Sequence, residues 1–147
     1  MWKYKNKVVN SIEDLPYGTI GFIYMIINKS RLKSNKEPYL YIGKKSIYSN
    51  TTKKLGKRAI EALPDKRMSK KIKIKKESDW LNYTGSNTEL NFDIQSGDEI
   101  ERKILCVCYN LRELTYMETK YLFKHEVLEK KHYYNGNILS KFFKIKK

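Results

Sequence analysis

An α+β fold built on a small three-stranded sheet is the architecture this 147-residue sequence predicts. Two runs rich in β-branched and aromatic residues lie in its first third, a third run begins just after position 100, and a long segment of helical apolar spacing follows it. Between the second and third runs stands a lysine-rich segment whose apolar residues recur at helix-compatible spacing, which predicts a basic helical insertion. With 40% hydrophobic residues and no Pro- or Gly-rich linker, a single domain over 1–147 is expected, its core at about 18–138 and the insertion at about 44–76.

Residues 1–10 are charged and lack a hydrophobic stretch, so they do not read as a secretory signal. The longest apolar run, 20–27, is too short to span a bilayer, and a cytoplasmic protein is expected. Residues 19–28 (TIGFIYMIIN) are nearly continuous in apolar character, which suits a strand buried on both faces. A polar stretch follows, and 39–42 (YLYI) read as a second strand ended by Gly43, a hairpin partner that brings Tyr24 and Tyr41 into one neighbourhood. Residues 77–80 (ESDW) read as a helix end or the start of a turn, and 83–86 (YTGS) as turn chemistry. Residues 101–108 (ERKILCVC) form the third strand, with Cys106 and Cys108 as reduced core residues. Asn110 then caps a helix over 111–130.

The charge balance is far from neutral: 31 Lys plus Arg against 16 Asp plus Glu, a net +15. Residues 44–76 hold 13 of the cations (Lys44, Lys45, Lys53, Lys54, Lys57, Arg58, Lys66, Arg67, Lys70, Lys71, Lys73, Lys75 and Lys76) against Glu61 and Asp65. A charge run is commonly only a solvated surface, but this one is interrupted by Leu55, Ala59, Ile60, Ala62 and Leu63. A basic helix lying along a phosphate backbone is the expected form, and its binding would be strongly salt-dependent.

At 100° per residue, Leu111, Leu114, Met117, Tyr121, Leu122 and Leu128 fall on one side of the last helix. Glu118 falls among them, four residues from both Leu114 and Leu122. Either a cation or strong donors meet this carboxylate, or the helix is rotated slightly and Glu118 stands at the border in water. His125 lies near the same stripe, where a lone histidine is usually a boundary residue. Cys106, Cys108, His125 and His132 offer two of each zinc-ligand type, but their spacing matches no common finger.

The segments Gly21-Phe22-Ile23-Tyr24 and Tyr41-Ile42-Gly43 resemble the two halves of the signature that names the GIY-YIG nuclease family. The following order of third strand, Glu-bearing helix and late Asn135 is similar to that family as well. With Tyr41-Ile42-Gly43-Lys44-Lys45-Ser46, Glu77-Ser78-Asp79-Trp80 and Tyr83-Thr84-Gly85-Ser86, the chain looks most like the Seg-type proteins of tailed phages, some of which are homing endonucleases. The resemblance implies a mainly antiparallel three-stranded sheet flanked by helices. It also implies a metal-dependent endonuclease cutting DNA, expected to be double-stranded, in a free-standing homing or host-interference role. A binding protein on the same fold that does not cut is the alternative, and a protein-interaction role toward an acidic partner is a third.

In the roles the resemblance implies, Glu118 ligates Mg²⁺ or Mn²⁺ and Tyr41 is the general base. Lys44 or Lys45 would depress the phenol's pKa. Tyr24 orients water or phosphate, and Asn135, in preference to Asn137, ties the Glu118 region to the strands. The family's arginine after the second tyrosine is carried onto Arg58 rather than Arg67. Lys45, Lys53, Lys54, Lys57, Arg67, Lys70, Lys71 and Lys73 are the expected phosphate-binding cations. The first half-motif has two residues between glycine and tyrosine, one more than the family name carries.

Overall fold

The computed structural model describes residues 1–65, 67 and 71–145, with the backbone path alone given at 71–73. In chain order the elements are strands β1 (Trp2–Tyr4), β2 (Lys7–Val9) and β3 (Gly21–Asn28), helix α1 (Lys29–Lys33), strands β4 (Leu40–Ser46) and β5 (Tyr48–Lys54), and helix α2 (Lys57–Glu61). Strand β6 (Lys71–Glu77), helix α3 (Thr88–Gln95), strand β7 (Ile100–Cys108), helix α4 (Leu111–Lys124) and the short pair β8 (Asn137–Ile138) and β9 (Phe142–Phe143) follow. No helix among the described residues is long and apolar enough to cross a membrane.

The central sheet runs β2-β1-β7-β3-β4, five strands where the sequence predicts three. All neighbours are antiparallel except β1 and β7. The added hairpin β1–β2 turns at Lys5 and Asn6, both at positive φ. Its three-residue strands mix lysine with apolar residues, too short for alternation to stand out, yet Trp2 is fully buried and donates through Nε1 to the Trp80 carbonyl at 2.7 Å.

β3 is buried on both faces, as its continuous apolar run requires. Phe22, Tyr24 and Ile26 enter an aromatic core with Trp2, Tyr41, Trp80 and Leu90. Ile23, on the other face, joins Ile42, Leu114 and Leu122 beneath α4. Helix α3, which apolar periodicity did not reveal, buries Leu90 and the polar Asp93. Its stability comes from the Asn87 cap, which accepts from the Leu90 N–H at 2.9 Å, and from Asp93, which receives Arg31 Nη2 at 2.9 Å and Tyr134 Oη at 2.8 Å.

Two boundaries differ from the sequence reading. β4 continues through Gly43 instead of ending there. A Cβ at Gly43 would lie 2.5 Å from Tyr24 Oη and 2.7 Å from its Cζ, so the glycine is an opening for a tyrosine crossing from the neighbouring strand. Helix α4 stops at Lys124, short of 130, because Glu126 takes a left-handed φ of 51°. The Glu126 N–H donates to Phe123 and the Val127 N–H to Leu122, a helix-ending pair that usually carries glycine at that position. Leu111, expected on the core face, is exposed in the first turn, while Leu114 and Leu122 are buried as expected.

Among its described residues the basic insertion is helical only over Lys57–Glu61. Its flanks are β5 and β6, paired antiparallel from Tyr48↔Glu77 to Lys54↔Lys71. The sequence KIKIKK of 71–76 alternates with period two, and this strand signal outweighs the helical spacing of the few apolar residues between the strands. The fold is thus a sheet packed between α4 and an aromatic layer, with a β-ribbon standing off one end.

If Gly43 serves the Tyr24 ring, Gly43→Ala should destabilise the domain by roughly 1–3 kcal/mol, since Tyr24 must move within a packed core. Gly136→Ala, where a Cβ meets nothing within 4 Å, should leave stability nearly unchanged. Urea unfolding of both variants reads the difference, and equal midpoints would contradict the packing role.

Candidate active site

The site forms around β4, the edge strand of the sheet, whose outer backbone groups lack a neighbouring strand to pair with. The carbonyl of His132 receives the Leu40 N–H at 2.9 Å, and the Leu40 carbonyl receives the Tyr134 N–H at 2.7 Å. Two residues on, the buried Asn135 side chain takes over: Oδ1 accepts from the Ile42 N–H at 3.1 Å and Nδ2 donates to the Ile42 carbonyl at 2.8 Å. One carboxamide thus replaces a peptide unit of a missing strand. Two residues further, the outward Lys44 N–H and its ammonium group act on Glu118 of α4, favouring its charged form.

Glu118 is half-buried, and its carboxyl is held above its ordinary value, first by desolvation, with the Lys44 ammonium and backbone N–H opposing. Among the described residues no cation pairs with it within 4.0 Å. Lys44 Nζ instead donates to Thr115 Oγ1, at 3.1 Å, one turn before Glu118 on the same helix.

On the other face of β4 the tyrosines gather. Tyr24 stands opposite Gly43 in the β3–β4 register, and its ring lies 6.1 Å from that of Tyr41. The turn over 83–86 closes above them. Tyr83 meets Tyr24 edge-on at 6.2 Å, and Ser86 Oγ shares a 3.2 Å hydrogen bond with Tyr41 Oη. Gly85, at φ +82°, lets the backbone pass so close that a Cβ there would sit 2.9 Å from Tyr41 Cε1.

Both phenols are raised above their ordinary pKa, chiefly by burial. The field of Glu118 adds to the rise in each, and for Tyr41 the Ser86 hydrogen bond works the other way. The expected depression of Tyr41 by Lys44 or Lys45 is therefore corrected. Strand alternation sends Lys44 toward α4, away from the phenol, and Lys45 is bound to Asp79 Oδ1 at 2.7 Å and lies 4.0 Å over the Tyr83 ring.

The structure brings Tyr24, Tyr41, Lys44, Glu118 and Asn135 to one stretch of sheet edge. It does not bring Arg58 there, since that residue is exposed on α2 beyond the ribbon. Lys53, Lys54 and Lys57 are likewise exposed on the ribbon and α2, and Arg67, paired with Asp65, lies in the same connection. Lys70 lies outside the described residues, and for Lys71 and Lys73 only the backbone is described. Asn137 is exposed and accepts from the Ser140 N–H, whereas Asn135 is the residue that holds β4. His125 caps the end of α4 and stacks on Tyr121. Sequence reasoning noted Gly85 and Ser86 as a turn and missed their contacts with the phenols. A positive-φ glycine beside a serine was the available signal.

The comparison with family models matches residues 2–138 to the model described as "Putative endonuclease segE, GIY-YIG domain". The chain belongs to this GIY-YIG family. Neither the curated proteins nor the solved structures yield a match. Family membership implies an endonuclease and hence a nucleic-acid substrate. In this GIY-YIG domain the two ends of the first half-motif do different work. Gly21 lies under Leu114 of α4, where a Cβ would come within 2.8 Å of Cδ2, while Tyr24, three residues on, faces the aromatic layer.

Two outcomes test this geometry. Asn135→Ala should cost roughly 2–5 kcal/mol in urea unfolding, because both Ile42 backbone groups lose their partners in a buried place. For Glu118 the folded-state pKa is raised, so protonation favours the native state: the stability contribution is fully present below the ordinary carboxylate pKa and is lost as pH rises through the folded value. Without divalent cations, Glu118→Gln should therefore raise the melting temperature at pH 7, and the gain should vanish in acid. A Gln variant less stable at pH 7 would contradict a strained carboxylate.

Proposed function

We propose that this GIY-YIG domain is a metal-dependent endonuclease that hydrolyses phosphodiester bonds in double-stranded DNA, in a free-standing homing or host-interference role of a phage. The observation that carries the reading is the half-buried Glu118 carboxylate, raised in pKa and without an ion pair among the described residues, beside two phenols of which Tyr41 is hydrogen-bonded to Ser86. A hard oxygen ligand of this kind suits Mg²⁺ or Mn²⁺, and Mg²⁺ in particular keeps several waters and needs few protein ligands. When bound at Glu118, the ion supplies positive charge for the scissile phosphate and the leaving oxygen.

Tyr41 receives a proton from the attacking water at Oη while its own proton passes to Ser86 and solvent, which suits a phenol too high in pKa to stand ionised. Neutralising Glu118 also removes the field that raises both phenols. Tyr24, fixed over Gly43, orients water or phosphate. The Lys44 ammonium, held on Thr115 one turn before Glu118, exchanges that hydroxyl for a phosphate oxygen. Asn135 holds β4 in place, and Arg58 belongs with the DNA-binding surface. A binding protein that does not cut is the second reading, favoured by the exposed basic ribbon, which needs no active site to hold DNA.

Supercoiled plasmid with Mg²⁺ or Mn²⁺, with and without chelator, separates the two. Nicking or linearisation should require metal, vanish in Glu118→Ala and fall on the order of 10²-fold or more in Tyr41→Phe. Because the carboxylate must be ionised to hold the cation, activity at limiting metal should fall as Glu118 is protonated, and the midpoint should move to lower pH as metal concentration rises. Metal-independent binding with no cleavage would select the second reading.

A further inference from the structure

The β5–β6 ribbon is not used by the proposed chemistry, yet it carries much of the chain's positive charge. Its described side chains are exposed from Ser49 to Lys54 and from Ile74 to Glu77. It packs mainly on itself and meets the body at its base, where Tyr48, Asn50 and Lys75 line a cavity of about 170 Å³ with Asn110 and Leu111 at the start of α4. A two-stranded ribbon with so little apolar burial is marginal alone, and a polyanion that neutralises its lysines would stabilise it.

Alternation separates the ribbon's two faces. Asn50, Thr52 and Lys54 project from one, and Lys75, paired with Asn50, projects with them. Thr51 and its partner Ile74 lie on the other. The polar face thus joins hydrogen-bonding tips along its centre to ammonium groups. Seven residues at about 3.4 Å each extend about 20 Å, close to six base-pair steps. A two-stranded ribbon fits the major groove of B-form DNA, about 12 Å wide, where an Asn can read adenine through N6 and N7 and a Thr can read a base edge or thymine methyl.

We infer that the β5–β6 ribbon is the sequence-reading element of this protein, with the face bearing Asn50, Thr52, Lys54 and Lys75 seated in the major groove of duplex DNA. Asn50 and Thr52 contact base edges, and Lys54 and Lys75 contact flanking phosphates. This rests on the proposal that DNA is the substrate but not on its cleavage. The deep, narrow major groove of A-form RNA would not admit the ribbon.

The test uses the full chain in chelator, selecting bound duplexes from a library with a randomised centre. Wild type should enrich a short motif. Asn50→Ala/Thr52→Ala should relax one or two base positions while affinity for unselected DNA stays within about twofold, since only base contacts are removed. Lys54→Ala/Lys75→Ala should keep the motif and reduce the slope of log affinity against log salt by about 2. These positions are exposed, so melting curves should match wild type. No enriched motif in wild type, an unchanged motif in the Asn50/Thr52 variant, or equal binding of duplex RNA would overturn the inference. Loss of the nuclease reading would instead appear as plasmid that stays uncut while the selection remains readable.

Discussion

An edge strand exposes backbone donors and acceptors that water or another chain can claim, and the manner in which β4 is covered organises the site. Backbone from residues 132–134 takes the first pair, the Asn135 carboxamide the next, and beyond them the Lys44 N–H lies in the field of the Glu118 carboxylate. The covering groups thus pass from peptide to neutral side chain to anion within a few residues of one strand. Glu118 stands where protein donors run short. The C-terminal segment and α4 are also located relative to Tyr41 by the same contacts, so alignment of the site is a by-product of closing the sheet.

The aromatic layer supplies the second constraint. Tyr24 touches Trp2, Phe22, Tyr41 and Tyr83 at ring separations between 5.2 and 6.2 Å, so its hydroxyl is placed by packing from several sides. Such packing desolvates the phenols and raises their pKa, which opposes simple base chemistry while keeping their positions well defined. Tyr41 alone of the pair adds the contact with the exposed Ser86 and thereby a route to solvent.

What was legible in the sequence was legible through strong local signals. The apolar run of β3 and the period of α4 declared themselves, and Asn110 caps that helix through the Glu113 N–H at 2.8 Å. A short distance along the chain sufficed to bring Tyr24 and Tyr41 together. The missing parts depended on long-range contacts or unusual residues at familiar positions. Trp2 and Tyr4 make a strand only because β7 lies beside them. Glu126 occupies a left-handed stop where glycine would have announced the end of α4. In the ribbon, lysines occupy both strands and mask the alternation of 71–76, while the helical spacing of 57–63 drew attention from it. The meaning of Gly43 required knowing which ring crosses it.

The ribbon leaves the body after Ile47 and returns at Ser78, and these two residues are joined directly, the Ser78 N–H donating to the Ile47 carbonyl at 2.7 Å. Ile47 is fully buried and also donates to the Ile20 carbonyl, which anchors the junction to the sheet. Among the described residues the ribbon projects beyond this seam, with Tyr48 packed on the aromatic core and Glu77 accepting from Trp80 Nε1 at its base. Such an arrangement makes the projecting segment modular: its length and exposed residues can diverge between lineages without altering the register of β3 and β4. Variation in the proposed reading surface and preservation of the proposed site would then fall to physically separable parts of one short chain.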